Sequence, residues 1–329
     1  MLVCPAPLPD ELDRGYLGRV MRLNGVKIER DMQDHLYREF GLAQNGRYRR
    51  STAEALSLMA RMSTEHFVQR HTTMPLRRAM MIFCSNDSHV SLRRRAVLYN
   101  SAMRLIGPHA YFCAECAVAD IAFHGMGYWR RSLQVPGRVF CEKHGAALMR
   151  APSSALVDSP SRWIERAEKI SDQVVNASLG HAAILRYLSM ADELMDRTSS
   201  LPSRSIAAIL LRRANLLPIQ GNAECRVYRK RGTQVTCAIV QSTFPSIWLE
   251  HISCDFSRHG RDPIFSWLNV LENSDQCPAV WPFLLLGSAL YEDTETAMHE
   301  WTSTLTTTAK PLPRTVTKMH RSQAANLHT

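Results

Sequence analysis

Cys113-Ala-Glu-Cys116 is followed, 24 residues later, by Cys141-Glu-Lys-His144. C-x2-C and C-x2-H are short-spaced ligand pairs, each able to place two donors on one knuckle of backbone, and two such knuckles brought together make a tetrahedral Cys3His site. Both pairs fall within one 32-residue window, and the expected occupant is one structural Zn2+ held by Cys113, Cys116, Cys141 and His144. Four protein ligands leave no open coordination position for a water, so the site reads as architectural rather than hydrolytic. The H-x-E element of zinc deaminases, HExxH and the G-x-x-x-x-G-K-[ST] phosphate loop are absent. No catalytic residue is assigned, and the expectation is a protein that is not an enzyme. Looser groups, Cys84 with His89 and His251 with Cys254 and His259, lack a recognisable second pair.

Upstream of the window the pattern is helical. Leu12, Tyr16, Val20 and Leu23 recur at helical spacing and stop at Asn24-Gly25, and Ile28, Met32, Leu36 and Phe40 repeat up to Gly41. Ser51-Thr-Ala-Glu54 has the form of a capping box, and Ser63-Thr-Glu65 offers a second N-cap directly after the helix it starts. Two short helices joined by a tight turn predict a helix-turn-helix.

Downstream, Trp163, Ile164, Ala167, Ile170 and Val174 predict one helix, and Ile184 to Leu194 a second beyond Gly180. A further helix from Pro202 to Leu216 ends on Arg212 and Arg213. Cys225 to Cys237 alternates around Gly232 and predicts a hairpin with Arg229, Lys230 and Arg231 at its tip, which is the pattern of a wing. After Trp301 the sequence is Thr-rich, with Pro and basic residues and no acid, and is expected to be a disordered tail. The fold class expected is mainly α: an N-terminal helical domain with the helix-turn-helix over 1–107, a zinc-ribbon-like knuckle over 108–150, a C-terminal helical or winged-helix domain over 151–301, and the basic tail over 302–329.

The chain has 329 residues, 45% of them hydrophobic, which supports a sizeable core, and no apolar stretch long enough to span a membrane. Forty Lys and Arg against thirty Asp and Glu leave a formal charge of +10, and only six of the forty are Lys. Arginine binds phosphate bidentately, so DNA is the expected partner, with Arg212, Arg213, Arg229, Lys230 and Arg231 as candidate phosphate contacts. Nine cysteines and no basic-then-apolar opening predict a cytoplasmic protein without a disulfide framework.

Cys113-x2-Cys116, then Tyr128-Trp129-Arg130-Arg131, Leu133-Gln134-Val135-Pro136-Gly137, and Val139-Phe140-Cys141-Glu-Lys-His144-Gly145 with Leu148, is similar to the zinc-finger pattern of the TniQ family. Pro5-Ala-Pro-Leu-Pro-Asp-Glu11, leading through Leu17 and Arg19 to Leu23-Asn24-Gly25, resembles the opening of that family, and Arg14-Gly15-Tyr16 departs from its usual Ser-Trp. The resemblance covers about residues 5–150 and thins beyond, where Pro263 to Tyr291 is similar to TnsD-like relatives. Many relatives carry a second Cys-rich knuckle that this sequence lacks. The resemblance implies a non-catalytic protein of DNA transposition in the bacterial cytoplasm, associated with the nucleoid. Such a protein links target-site recognition to an AAA+ ATPase regulator of the TniB or TnsC type. Recognition in such relatives is by direct DNA contact or through a CRISPR RNA-guided complex, and a homodimer is a further candidate assembly. The alternative class is a zinc-ribbon, helix-turn-helix transcription regulator.

Overall fold

The computed structural model describes residues 2–42, 51–81, 89, 103–216, 235–256 and 279–307. Its architecture is mainly helical, as the apolar periodicity predicts, with a small antiparallel sheet at its middle.

Four helices open the chain: α1 Asp13–Leu23, α2 Glu29–Glu39, α3 Thr52–Met59 and α4 Thr64–His71. The capping box is present in full at α3. Ser51 Oγ accepts from Glu54 N at 3.1 Å, and the Glu54 carboxylate accepts from Ser51 N at 2.7 Å. Ser63 caps α4 through His66 N, and Arg61, at φ +54°, turns the chain between the two helices. Tyr16, Leu17, Val20, Met32, Leu36, Leu56, Phe67 and Val68 form the core of this unit, whereas Leu23 and Ile28, read with the apolar stripe, are exposed.

A one-turn helix α5, Met74–Arg77, leads to β1, Met80–Met81, which pairs in parallel with β5, Leu201–Pro202. The sheet runs β2 (His109–Phe112), β3 (Met149–Pro152), β4 (Glu168–Lys169), with Phe112 opposite Met149 and Arg150 opposite Glu168. Helix α6, Ala114–His124, follows β2 directly. The C-terminal part comprises α7 Asp172–Ser178, α8 Ala182–Asp196, α9 Ser203–Arg213, α10 over 235–243, α11 Ser246–Phe256, α12 Trp281–Leu290 and α13 Thr294–Thr307. These helices share one core with the cysteine loops, built on Tyr187, Leu188, Trp248, Phe283 and Trp301.

Several expectations need correction. Residues 161–170 are not a helix: a 3-10 turn, Pro160–Trp163, gives way to β4, because Glu168 and Lys169 pair with β3 and Ile170 N donates to Leu148 O at 3.0 Å. The knuckle boundary at 150 therefore cuts strand β3, and the sheet extends to 169. Val235 to Cys237, read as the end of a wing strand, opens α10, since Cys237, Val240 and Phe244 are buried at helical spacing. The rest of that hairpin lies outside the described residues. The tail boundary at 302 falls inside α13, where Ala297, Met298, Trp301 and Thr304 are buried on one face.

Helix α1 lies flat against the sheet unit because two glycines remove side chains from the contact. A Cβ on Gly15 would stand 3.1 Å from the Trp129 side chain, and one on Gly18 would stand 2.6 Å from Val157 Cα. At the start of α1, Asp13 is buried, and its Oδ2 has no hydrogen-bond partner among the described residues. Burial pushes this carboxyl up to about 7. A raised folded-state value costs nothing below the unfolded range near 4, where both states are protonated. As pH rises from there to about 7 the unfolded state ionises first and stability falls, by roughly 1 kcal/mol per pH unit, to a constant penalty above 7. Urea midpoints of Asp13→Asn should exceed those of the parent by more at pH 8 than at pH 5, and an equal offset at both would count against this assignment.

Candidate metal centre

Strand β2 delivers Cys113 to the N-terminus of α6, where its Sγ accepts from Cys116 N at 3.5 Å and fixes the first knuckle. The second knuckle is a tight reversal closed by the Phe140 and Ala147 bridge, by Cys141 N to Ala146 O at 2.8 Å and by Gly145 N to Cys141 O at 2.7 Å. Gly145 sits at φ +64°, in the left-handed region that favours glycine. The backbone N–H groups of Lys143 and His144 turn back onto Cys141 Sγ.

The two knuckles bring all four ligand atoms within 4.8 Å of one another, with the three cysteines buried and His144 half-buried. His144 Nδ1 lies 3.4 Å from Cys113 Sγ, 3.4 Å from Cys116 Sγ and 3.7 Å from Cys141 Sγ, and the sulfurs of Cys116 and Cys141 are 3.7 Å apart. A tetrahedron with metal–sulfur bonds of about 2.3 Å has edges of about 3.8 Å, slightly shorter where nitrogen replaces sulfur. The donor set and its spacing therefore fit a metal ion. Without one the thiols divide unequally: a hydrogen bond from Cys113, with the two backbone N–H groups, pulls Cys141 down to about 4, while the same bond pushes Cys113 up and burial pushes Cys116 up. A cation at the centre would supply the charge that lets all three act as thiolates.

The residues around this centre hold it in place. Gln134 brackets β2, accepting from Tyr111 N at 3.0 Å and donating to Tyr111 O at 2.8 Å. Gly137, at φ +83°, presents its carbonyl to Trp248 Nε1 at 2.9 Å, and a Cβ there would meet that indole at 2.7 Å. Trp129 packs edge-on against Phe112 at 5.3 Å, and its carbonyl accepts from Leu12 N at 2.8 Å. Asp10 accepts from Ser132 N at 3.0 Å and from Arg131 Nε at 3.3 Å, and Arg131 also reaches Asp196 Oδ1 at 2.8 Å and the Gln69 carbonyl. Glu11, fully buried, takes a two-pronged grip from Arg19 at 2.9 and 2.6 Å. Asp10, Glu11, Arg19, Arg131 and Gln134 were not singled out as site residues; their only signal was the family pattern in which they stand.

The basic residues expected to meet phosphate separate. Arg212 is exposed, and its side chain has no hydrogen bond or ion pair among the described residues. Arg213 bonds Glu300 Oε2 at 2.6 Å and lies over the Tyr291 ring at 4.0 Å, an ordinary tie between α9 and α13. Arg229, Lys230 and Arg231 lie outside the described residues, as do Cys84 and His259. On α4, Glu65, His66 and Arg70 are exposed while Gln69 donates to Asp196 O at 2.7 Å, which docks one edge of the helix on α8.

A mainly helical protein folded around a buried Cys3His cluster is thus defined. Residues 2–148, which contain all four ligand positions, match the TniQ family. No curated protein matches the chain. No helix among the described residues is long and apolar enough to cross a membrane.

Proposed function

We propose that the chain is a non-catalytic adaptor of DNA transposition that contacts target DNA, or a complex that has found it, and recruits an AAA+ ATPase regulator of the TniB or TnsC type. The TniQ match over residues 2–148 carries this reading. One structural Zn2+ on Cys113, Cys116, Cys141 and His144 holds the sheet unit against which the N-terminal helices and the C-terminal helices are both packed. When bound, that ion supplies structural cross-linking only, since its four protein ligands close the coordination sphere.

The net charge of +10 favours DNA as the target-side ligand. Arg212 is the described candidate free to meet a phosphate, with Arg229, Lys230 and Arg231 beside it in sequence-based expectation. The test is the salt dependence of DNA binding. Arg212→Gln should lower the magnitude of the slope of log K against log salt by about 1, and neutralising residues 229–231 together by about 3. Arg213→Gln should leave the slope unchanged and lower thermal stability instead, because it breaks the tie to Glu300. Slopes unaltered by both of the first two changes would remove these residues from the DNA contact.

A further inference from the structure

Helix α6 turns only a narrow side to the protein. Cys116 stands there at the metal cluster, Ala117 packs with Phe112 and Trp129, and Arg130 holds the buried Asp120 by two bonds of 2.6 and 2.8 Å. Glu115, Val118, Ala119, Ile121, Ala122 and Phe123 face solvent, and all of these but Glu115 are apolar. Val118, Ile121 and Phe123 are exposed by 59%, 43% and 84%. A helix that is apolar on every side is ordinarily buried. Those three side chains alone leave on the order of 300–400 Å² of apolar surface in water, the size at which a patch marks an interaction site.

The face also has a shape. With successive residues about 100° apart, Ala119 and Ala122 run along its middle, Val118 and Ile121 stand to one side and Phe123 to the other. The small pair leaves a shallow furrow between larger neighbours, the form into which the ridge of a second helix packs. Glu115 lies on the same midline one turn before Ala119, and its carboxylate has no hydrogen bond or ion pair among the described residues. The helix contains no Lys or Arg, in a chain that has forty, so this face is unsuited to phosphate. A stable dimer interface takes about 800 Å² from each partner, about twice what these side chains offer, which argues against a second copy as the occupant. One helix of about three turns matches the length of the face.

We propose that the outer face of α6 receives an amphipathic helix of a partner protein, with its apolar ridge along Ala119 and Ala122 and a basic side chain meeting Glu115. The inference rests on the adaptor reading, under which the partner is the ATPase regulator: target DNA calls for cations, and the face that has none serves the protein side.

The test measures binding of the purified ATPase encoded beside this chain to the metal-loaded full chain after nuclease treatment, for the parent, Ala122→Glu and Phe123→Ser. Ala122→Glu fills the furrow with a good helix former at an exposed position. Each variant should bind the ATPase about tenfold more weakly, with metal content, melting temperature and sedimentation as in the parent. Undiminished binding by both variants would overturn the inference and leave the adaptor reading standing. A parent that binds no ATPase would overturn both. A melting temperature several degrees lower in both variants would show that this chain itself covers the face, and a parent dimer that the variants dissociate would show a second copy there; either result overturns the inference.

Discussion

Cys116→Ser will lose its metal and, with it, the cooperative fold of the sheet unit. The parent should carry one tightly held zinc per chain, and the variant close to none. Structural zinc contributes roughly 10–16 kcal/mol in small zinc-folded units, more than most domains have as net stability, about 5–15 kcal/mol. The loss should spread beyond the knuckle. Trp129 holds the start of α1 through Leu12, Gly137 holds α11 through Trp248, and Ile170 bonds back to Leu148, so each neighbouring element loses an anchor. Cys4→Ser, at an exposed cysteine outside the cluster, should keep both zinc and fold. Metal analysis together with thermal unfolding checks this. A Cys116→Ser protein that retains one zinc, or that unfolds at the parent temperature without it, would contradict a structural metal centre.

The second large effect concerns the buried pair Glu11 and Arg19. Arg19→Met leaves the Glu11 carboxylate fully buried without its guanidinium, a loss of about 3–5 kcal/mol, equivalent to a fall on the order of 10 °C in melting temperature for a chain of this size. Adding Glu11→Gln should recover much of that loss, since an uncharged group replaces the stranded charge. Leu8 N also bonds Glu11 Oε2 at 2.8 Å and Arg19 bonds the Ala6 carbonyl at 2.7 Å, so the opening segment should loosen first, with earlier proteolysis before residue 13. A shift of under about 1 kcal/mol, ordinary for an exposed pair, would show that the pair is hydrated in solution.

What could be read from the sequence was what depends on neighbours along the chain. The two cysteine pairs are each set by a spacing of three, and the caps at Ser51 and Ser63 act within their own first turn, so all were visible as short patterns. Helices α1 to α4 and the mainly helical class followed from these and from apolar periodicity. What joins them was not visible, because its partners are distant: Asp10 with Arg131, Gln69 with Asp196, Gly137 with Trp248. Periodicity misled where a short segment satisfied two patterns. Val235 and Cys237 alternate like a strand, yet Cys237, Val240 and Phe244 also share a helical face, and packing against the C-terminal core selects the helix. Trp163, Ile164 and Ala167 supply apolar groups at helical spacing to a turn that packs on Phe112 and Trp129. Arg213 shows the same limit for charge: its place near a helix end was legible, and the carboxylate that engages it, 87 residues on, was not.

The TniQ signature takes on a physical meaning in these contacts. The Asp-Glu of the opening segment, the Trp-Arg-Arg and the Gln-Val-Pro-Gly turn are the fasteners that dock α1, α4, α8 and α11 on one small sheet.

The most direct measurement of the adaptor role is affinity capture of the tagged full chain from cells expressing its neighbouring genes, with and without nuclease, followed by identification of the bound proteins. The adaptor account predicts an AAA+ ATPase that stays bound after nuclease treatment. Recovery of DNA alone, or of an ATPase that leaves when the DNA is digested, would contradict it and favour a regulator that binds DNA without a protein to recruit.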